Sequence, residues 1–129
     1  MKNDNYQFDE DEYMEYMTIR KEKTHLPVDI MVDDGGSYKM RNHSLWLLMA
    51  NGYERPTDEF IPLSVDKFAK IVGNYELKIS KSDFEKVRGF IFNNMKSLIE
   101  LGNDNIDNVE FLENIDTYQY SMVESIDKF

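Results

Sequence analysis

The residues best suited to metal chemistry surround the first pair of glycines: Asp29, Asp33, Asp34 and His43. Asp29 and Asp33 fall in a run of alternating apolar and polar residues, so an extended strand would place both on one face. Carboxylate oxygens and imidazole nitrogens bind divalent metals, and one hypothesis is a small metal-dependent enzyme that uses Asp29, Asp33 and His43. The competing interpretation makes the strand aspartates a solvent-facing row and Asp34 a turn residue. The absence of any EF-hand or paired-histidine spacing favours this second interpretation.

Two other catalytic patterns are incomplete. His25 and His43 are the two histidines, and His43 precedes Ser44, but no G-x-S-x-G elbow surrounds that serine. The stretch 34–37 is rich in glycine, yet it lacks the lysine of a P-loop and the spaced glycines of a dinucleotide fingerprint. A hairpin turn accounts for both glycines without a ligand. We therefore expect a non-enzymatic protein with no catalytic residue, no bound metal and no cofactor.

The acidic residues concentrate at the two ends of the chain. Residues 1–17 carry a net charge of −5, residues 100–129 carry −7, and residues 18–99 carry +2, within a total of −10. This charge opposes direct binding to nucleic acid or to an anionic membrane, because the phosphates would repel it. It favours a basic protein surface as the partner. The alternative is that the acidic ends are solvated segments that only maintain solubility.

Helical spacing relates the acids of the C-terminal segment. Glu100, Asp104 and Asp107 recur every three to four residues, so one helix would hold their carboxylates about 5–6 Å apart. A rod of carboxylates at that spacing can occupy the basic groove of a nucleic-acid-binding protein. Tyrosines within the acidic ends would add contact area. The predicted partner-binding residues are Glu12, Tyr13, Glu15, Tyr16, Asp104, Asp107, Glu110, Glu113 and Tyr118.

These features predict an acidic binding protein. Its most concrete form is an inhibitor, or nucleic-acid mimic, that docks on a host nucleic-acid-binding protein such as a restriction or CRISPR-type nuclease. A self-associating structural module, in which the ends pair with a second copy as a homodimer, is the alternative. The metal-dependent enzyme that would use Asp29, Asp33 and His43 is the third hypothesis.

Periodicity predicts the elements that position these residues. An acidic N-terminal segment, 1–25, contains a short helix over 9–23, with acids at its start and bases at its end. An α+β domain with an acidic C-terminal segment follows over 26–129. Alternating or fully apolar runs predict strands over 28–33, 44–50, 60–63, 75–79 and 117–122. The 44–50 run is apolar on both faces, which is typical of a central strand, whereas Pro62 indicates an edge strand.

The longest predicted element is an amphipathic helix over 82–101. Ser80 or Ser82 can cap its start, and Gly102 follows its apolar stripe where a C-terminal glycine belongs. Shorter helices are predicted over 66–72, closed by Gly73, and over 106–115. The predicted fold is therefore a small single α+β domain, in which one long helix and short terminal helices cover an antiparallel sheet of about four or five strands.

Composition limits the size of the core, the possible cysteine chemistry and the expected location of the protein. A chain of 129 residues with 41% hydrophobic residues can bury one core. The sequence has no cysteine, which excludes disulfides and thiolate chemistry. The first residues lack the layout of a secretory signal, and no apolar run is long enough to span a bilayer. We therefore expect a cytoplasmic, soluble protein.

Five features recur in a fixed order over residues 26–104: the segments 26–30 and 34–38, His43, the capped helix start at 79–85, and the pair Asn93 and Asn94. In this order the chain resembles small uncharacterised proteins of bacterial phages and mobile elements. The resemblance covers about 60% of the chain. It implies a phage or mobile-element setting, and it implies no activity and no catalytic residue.

Overall fold

The computed structural model describes residues 16–34, 44–55, 57 and 59–115. Its strands are β1 (Tyr16–Ile19), β2 (Ile30–Asp33), β3 (Trp46–Ala50) and β4 (Phe60–Ser64). Its helices are α1 (Lys21–Thr24), α2 (Lys81–Asn93), α3 (Met95–Gly102) and α4 (Asn108–Glu113). Within these residues the strands form one antiparallel sheet in the order β1-β2-β3-β4. The predicted α+β class is confirmed. The strand predicted over 117–122 and residues 9–15 of the first predicted helix lie outside the described residues.

The apolar strand β3 lies in the interior of the sheet, as its sequence predicts. It pairs with β2 on one side and β4 on the other, and all five of its residues are buried. Leu47 and Met49 belong to the main core with the helices, whereas Leu48 belongs to a second cluster with Tyr16 and Met31. Both faces of the sheet are therefore buried at β3, which explains why this strand is apolar at every position.

Pro62 sits in β4 without disturbing the sheet. The Pro62 carbonyl accepts from the Val72 N–H at 2.9 Å, and the Ser64 N–H donates to the Lys70 carbonyl at 3.0 Å. Both groups point away from β3, so the missing N–H of Pro62 also points away and removes no bond from the β3–β4 pairing. The edge position predicted for this strand is confirmed within the described sheet, with residues 70–72 lying along its outer side.

The helix predicted over 9–23 is wrong where the structure describes it. Tyr16–Ile19 forms strand β1, which pairs with β2 in the register Met17 to Val32, and only the single turn α1 is helical. A short isolated helix is marginally stable in water. Pairing with β2 instead buries the side chains of Tyr16 and Ile19, so tertiary burial decides the conformation.

The predicted helix over 66–72 and the predicted strand over 75–79 are both wrong. The Asp66 carboxylate accepts the N–H groups of Phe68 and Ala69, and this local turn competes with helix formation. Residues 75–79 do alternate in burial, as a strand would, but their backbone bonds the Asn51 side chain. The Asn51 amide accepts the Lys78 N–H and donates to the Glu76 carbonyl, both at 2.8 Å.

The helix predicted over 82–101 is two helices, α2 and α3, which meet at Asn94. The Phe90 carbonyl accepts both the Asn94 side-chain amide and the Asn94 backbone N–H at 3.0 Å. Ser80 is the N-cap and accepts the Asp83 N–H. Gly102 is the last residue of α3, not the residue that follows the helix. The α2–α3 side chains buried in the main core are Val87, Phe90, Ile91, Leu98 and Leu101.

A short helix is present where 106–115 predicts one, as α4, and Phe111 anchors it fully buried in the core. In the described part of the chain no helix is long and apolar enough to cross a membrane.

We predict that Asn51→Ala lowers the free energy of unfolding by about 2 kcal/mol, because it leaves the Lys78 N–H and the Glu76 carbonyl without their partner. Chemical denaturation monitored by circular dichroism measures the change. Asn105→Ala removes an exposed amide and is the control, with an expected loss below about 0.5 kcal/mol. Equal losses in the two variants would contradict this role of Asn51.

Candidate functional site

The described acids of the C-terminal segment occupy three different elements. Glu100 lies in α3, Asp104 in the turn that follows, Asp107 at the N-cap of α4, and Glu110 and Glu113 within α4. A single helical rod of carboxylates, as the spacing predicts, is therefore not formed. We call these five residues the acidic surface. The stretch 97–115 that contains them has no lysine, arginine or histidine.

The turn between α3 and α4 determines how these carboxylates are spread. Asp104 adopts a left-handed backbone with φ of 63°, a conformation that aspartate tolerates better than most residues. The Asn105 N–H donates to the Glu100 carbonyl at 2.8 Å, which closes the end of α3. The Asp107 carboxylate accepts the Glu110 N–H at 2.8 Å and so begins α4. One carboxylate of the acidic surface thus has a structural role as well.

The acidic surface faces solvent. Asp104, Asp107, Glu110 and Glu113 are exposed, and Glu100 is partly exposed. Among the described residues none of the five forms an ion pair. Val109 lies among them on α4 with 64% of its surface exposed, four residues before Glu113 and therefore on the same helical face. The surface combines uncompensated negative charge with an exposed apolar side chain.

An open groove borders the acidic surface along α3. It has a volume of about 550 Å³ and is lined by Met95, Lys96, Ile99, Glu100 and Asn105. Ile99 is 39% exposed there, although it lies in a helix whose opposite face is buried. The groove is shallow and mostly apolar, and Lys96 and Glu100 are the charged residues of its lining.

Asp34 adds a sixth carboxylate beside the start of α4. The Asn108 side-chain amide donates to its Oδ2 at 3.2 Å. Partial burial raises the pKa of the Asp34 carboxyl above its ordinary value, and the negative charges of Asp33 and Asp104 raise it further, against the Asn108 hydrogen bond. The carboxylate of Asp34 therefore weakens the folded state at neutral pH.

Five of the predicted partner-binding residues lie outside the acidic surface as defined above, and the structure describes only Tyr16 among them. Glu12, Tyr13, Glu15 and Tyr118 lie outside the described residues. Tyr16 is 7% exposed and packs with Met31 and Leu48 inside the sheet cluster, so its ring is part of the folded body.

The described side chains that were considered as metal ligands do not form a common site. Arg55 binds the Asp29 carboxylate in a two-pronged contact, with Nε to Oδ2 at 2.8 Å and Nη2 to Oδ1 at 2.7 Å. Asp33 is buried, and His43 lies outside the described residues. No group of three histidine, aspartate or glutamate side chains that could hold a metal occurs in the part of the chain that the structure describes.

The Arg55 contact joins three segments of the fold. Arg55 Nη2 also bonds Glu22 Oε1 at 2.7 Å, and the Lys21 N–H donates to Asp29 Oδ1 at 2.8 Å. The Arg55 hydrogen bonds lower the pKa of the Asp29 carboxyl, burial opposes them, and the Lys21 N–H lowers it further. The sequence offered no signal for this cluster, because its members are separated by up to 33 residues.

A second feature missed from sequence is a cluster of aromatic and cationic side chains on α2 and the 66–70 loop. Arg88 donates to the carbonyls of Phe68 and Ala69 and pairs with Glu85. Its guanidinium lies 5.7 Å from the centre of the Phe92 ring. Phe68 and Phe92 are 58% and 42% exposed. The local sequence signals for this cluster are the four-residue spacings of Phe84, Arg88 and Phe92 and the three-residue spacing of Glu85 and Arg88.

We predict that Arg55→Gln raises the pKa of Asp29, because burial then acts without the guanidinium. A carboxyl with a lowered pKa stabilises the fold above the unfolded pKa and loses that contribution as the pH falls. The stability difference between wild type and variant should therefore be full near neutral pH and shrink below about pH 4. Carbon-13 NMR titration measures the pKa.

Asp66 provides an internal control for that titration. Its pKa is lowered by the N–H groups of Phe68 and Ala69, which Arg55 does not touch, so it should not change in the variant. An unchanged pKa for Asp29 in Arg55→Gln would contradict the assignment.

We predict that Asp34→Asn increases the free energy of unfolding at pH 7. The asparagine keeps an oxygen for the Asn108 amide and removes the charge that burial disfavours. Because the folded pKa is raised, the gain should disappear as the pH falls through that pKa and below the ordinary value of 3.8. Denaturation at several pH values measures it, with the exposed Glu110→Gln as control. A gain that persists at pH 3 would count against burial as its cause.

Comparisons with known proteins gave no match: no protein-family model, no curated protein and no solved structure is similar to this chain. The resemblance to proteins of phages and mobile elements therefore stays a prediction. The exposures, contacts and charges described above are the basis on which a function can be proposed.

Proposed function

We propose that this chain is a non-enzymatic binding protein whose acidic surface docks on a basic surface of another protein. The observation that carries the proposal is the exposed group of five carboxylates in a stretch without a single basic residue. No lysine, arginine or histidine in residues 97–115 neutralises these charges. A partner rich in lysine and arginine would supply the missing counter-charges.

The exposed Val109 gives this surface an apolar centre. It lies between Asp107 and Glu110 in sequence and shares a face of α4 with Glu113. Protein interfaces gain most of their affinity from a few well-packed contacts, whereas charges at the rim mainly set association rate and specificity. We infer that Val109 provides a packed contact and that the carboxylates steer and orient the partner.

The most concrete partner is a nucleic-acid-binding protein. Its basic groove is built for phosphates, and the carboxylates at Asp104, Asp107, Glu110 and Glu113 could occupy such positions from a rigid scaffold. The chain would then act as a competitive inhibitor of nucleic-acid binding. Spreading the charges over a turn and a helix, rather than along one helix, makes the surface a patch and not a rod, so the partner's groove should be broad.

We predict that Glu110→Lys combined with Glu113→Lys weakens partner binding at least about 100-fold, because attraction becomes repulsion at the centre of the surface. The matched control is Glu54→Lys with Glu76→Lys, which makes the same charge change at exposed residues elsewhere. Proteins from the source cell that bind the immobilised full chain are identified. The affinity of the retained protein is then measured by calorimetry for wild type and for both variants.

The proposal expects a basic partner that is released by high salt, and whose nucleic-acid binding falls when the wild-type chain is added. The control variant should compete as well as the wild type does. Equal binding by the Glu110/Glu113 variant and the wild type would contradict the proposal, as would a partner whose nucleic-acid binding is unaffected.

A further inference from the structure

One exposed stripe runs along the outward side of α2 and α3. The buried positions Val87, Phe90, Asn94, Leu98 and Leu101 recur every three to four residues across the junction at Asn94, so the helical phase continues from α2 into α3. The outward positions must keep the same phase. They are Arg88, Phe92, Lys96 and Ile99, all of them partly or fully exposed.

The first end of this stripe is basic and aromatic. Phe68 is 58% exposed beside Arg88, and the Lys67 ammonium lies 5.2 Å from the centre of the Phe68 ring. Arg88 is neutralised by Glu85, but Lys67 and Lys70 are exposed and form no ion pair with any described residue. Two exposed lysines therefore flank an exposed phenylalanine, with the Asp66 carboxylate close enough to Lys70 for their charges to interact.

The second end of the stripe has the opposite charge. Ile99 opens into the groove of about 550 Å³ beside Glu100, and Asp104 follows in the next turn. Neither carboxylate has an ion-pair partner among the described residues. The groove is shallow and open to solvent, and its lining is mostly apolar. Lys96 and Glu100 both line it and Asp104 follows in the next turn, so two carboxylates outnumber one ammonium at this end.

We propose that two copies of this chain associate through the outward face of α2 and α3 around a two-fold axis. The stripe is complementary to itself when one copy is turned end for end. Phe68 of each copy then enters the groove at Ile99 of the other, and Lys67 and Lys70 meet Glu100 and Asp104. A two-fold axis makes both contacts equivalent and closes the assembly at two copies.

A second copy fits this face better than nucleic acid does. Exposed aromatic rings beside lysines also bind single strands. However, the net charge of −10 and the carboxylates at the far end of the same stripe would repel a phosphate backbone. Only an occupant with negative charge at one end and positive charge at the other satisfies the whole stripe.

The dimer does not depend on the basic partner proposed above. It shares Glu100 and Asp104 with the acidic surface, whereas Glu110, Glu113 and Val109 on α4 serve only the partner and Lys67 and Lys70 serve only the dimer. Substitutions at Lys67 and Lys70 therefore test the dimer alone, and substitutions at Glu110 and Glu113 test the partner alone.

The test is the mass of the full chain by light scattering after size exclusion. One copy has a mass of 15.3 kDa, and at low salt we expect twice that value at micromolar concentration. Raising the sodium chloride concentration from about 50 mM to about 500 mM should weaken the dimer at least about tenfold. A monomer at every concentration, or an assembly larger than two copies, would overturn the proposal.

A charge swap tests the arrangement itself. Lys67→Glu with Lys70→Glu, and separately Glu100→Lys with Asp104→Lys, should each weaken self-association about 100-fold, because both equivalent contacts become repulsive. Mixing the two variants should restore a dimer of one copy of each, since every contact in the mixed pair again joins opposite charges. Failure of the mixture to associate would overturn the two-fold arrangement, even if each variant alone is monomeric.

Two controls exclude a general effect of charge and a loss of folded structure. Lys23→Glu reverses an exposed lysine outside the stripe and should leave the dimer intact, whereas Lys67→Glu alone should weaken it about tenfold. Circular dichroism should show the same helical content in every variant, because the altered side chains are at least partly exposed. Equal weakening by Lys23→Glu and Lys67→Glu would show a general charge effect and contradict the proposed contact.

Discussion

The packing of α2 and α3 on the sheet is the constraint on which the other surfaces of the molecule depend. Val87, Phe90, Leu98 and Leu101 lie in the main core with β2, β3 and β4, and full burial of one such side chain is worth about 1.5–3 kcal/mol. A helix has 3.6 residues per turn, so fixing this inward face also fixes the outward one. α4 packs on α3 through the buried Phe111, which places the remaining acids of its short helix in solvent.

Charge and burial are separated in the described part of this fold, except at the buried Asp33 of β2. The buried side chains of the sheet and of the inward helix faces are mostly apolar. The described carboxylates of the C-terminal segment lie in residues 97–115, which contain no basic residue. Two arginines in the middle of the chain stabilise the fold instead. Arg55, in the β3–β4 connection, bonds Asp29 and also Glu22 of α1, and Arg88 of α2 donates to the carbonyls of Phe68 and Ala69. This division supports an interaction role for the acids, because none of them except Asp107 holds the fold together through its side chain in the described contacts.

The sequence predicted the elements whose signals are local and redundant. β3 is apolar at every position, β4 carries an edge proline, and α2 has both a serine cap and an apolar stripe. The errors arise where a distant partner decides the conformation. β1 extends because β2 is available to pair with it, and residues 75–79 are held by the Asn51 side chain rather than by a strand. The break between α2 and α3 falls at Asn94, whose backbone (φ −117°, ψ 17°) leaves the helical conformation although the apolar spacing continues across it. For the candidate site, the acids could be identified from spacing, but the turn at Asp104 that spreads them could not.

The central claim is that the outward side of the helical layer, and not the sheet, is the interaction surface of this protein. Nitrogen-15 correlation spectra of the full chain, recorded over a concentration series at low salt, test it most directly. The account predicts concentration-dependent shifts at Phe68, Phe92, Ile99 and Asp104 that disappear at about 500 mM sodium chloride, with the amides of β3 unchanged. Shifts centred on the sheet, or spectra independent of both concentration and salt, would contradict it.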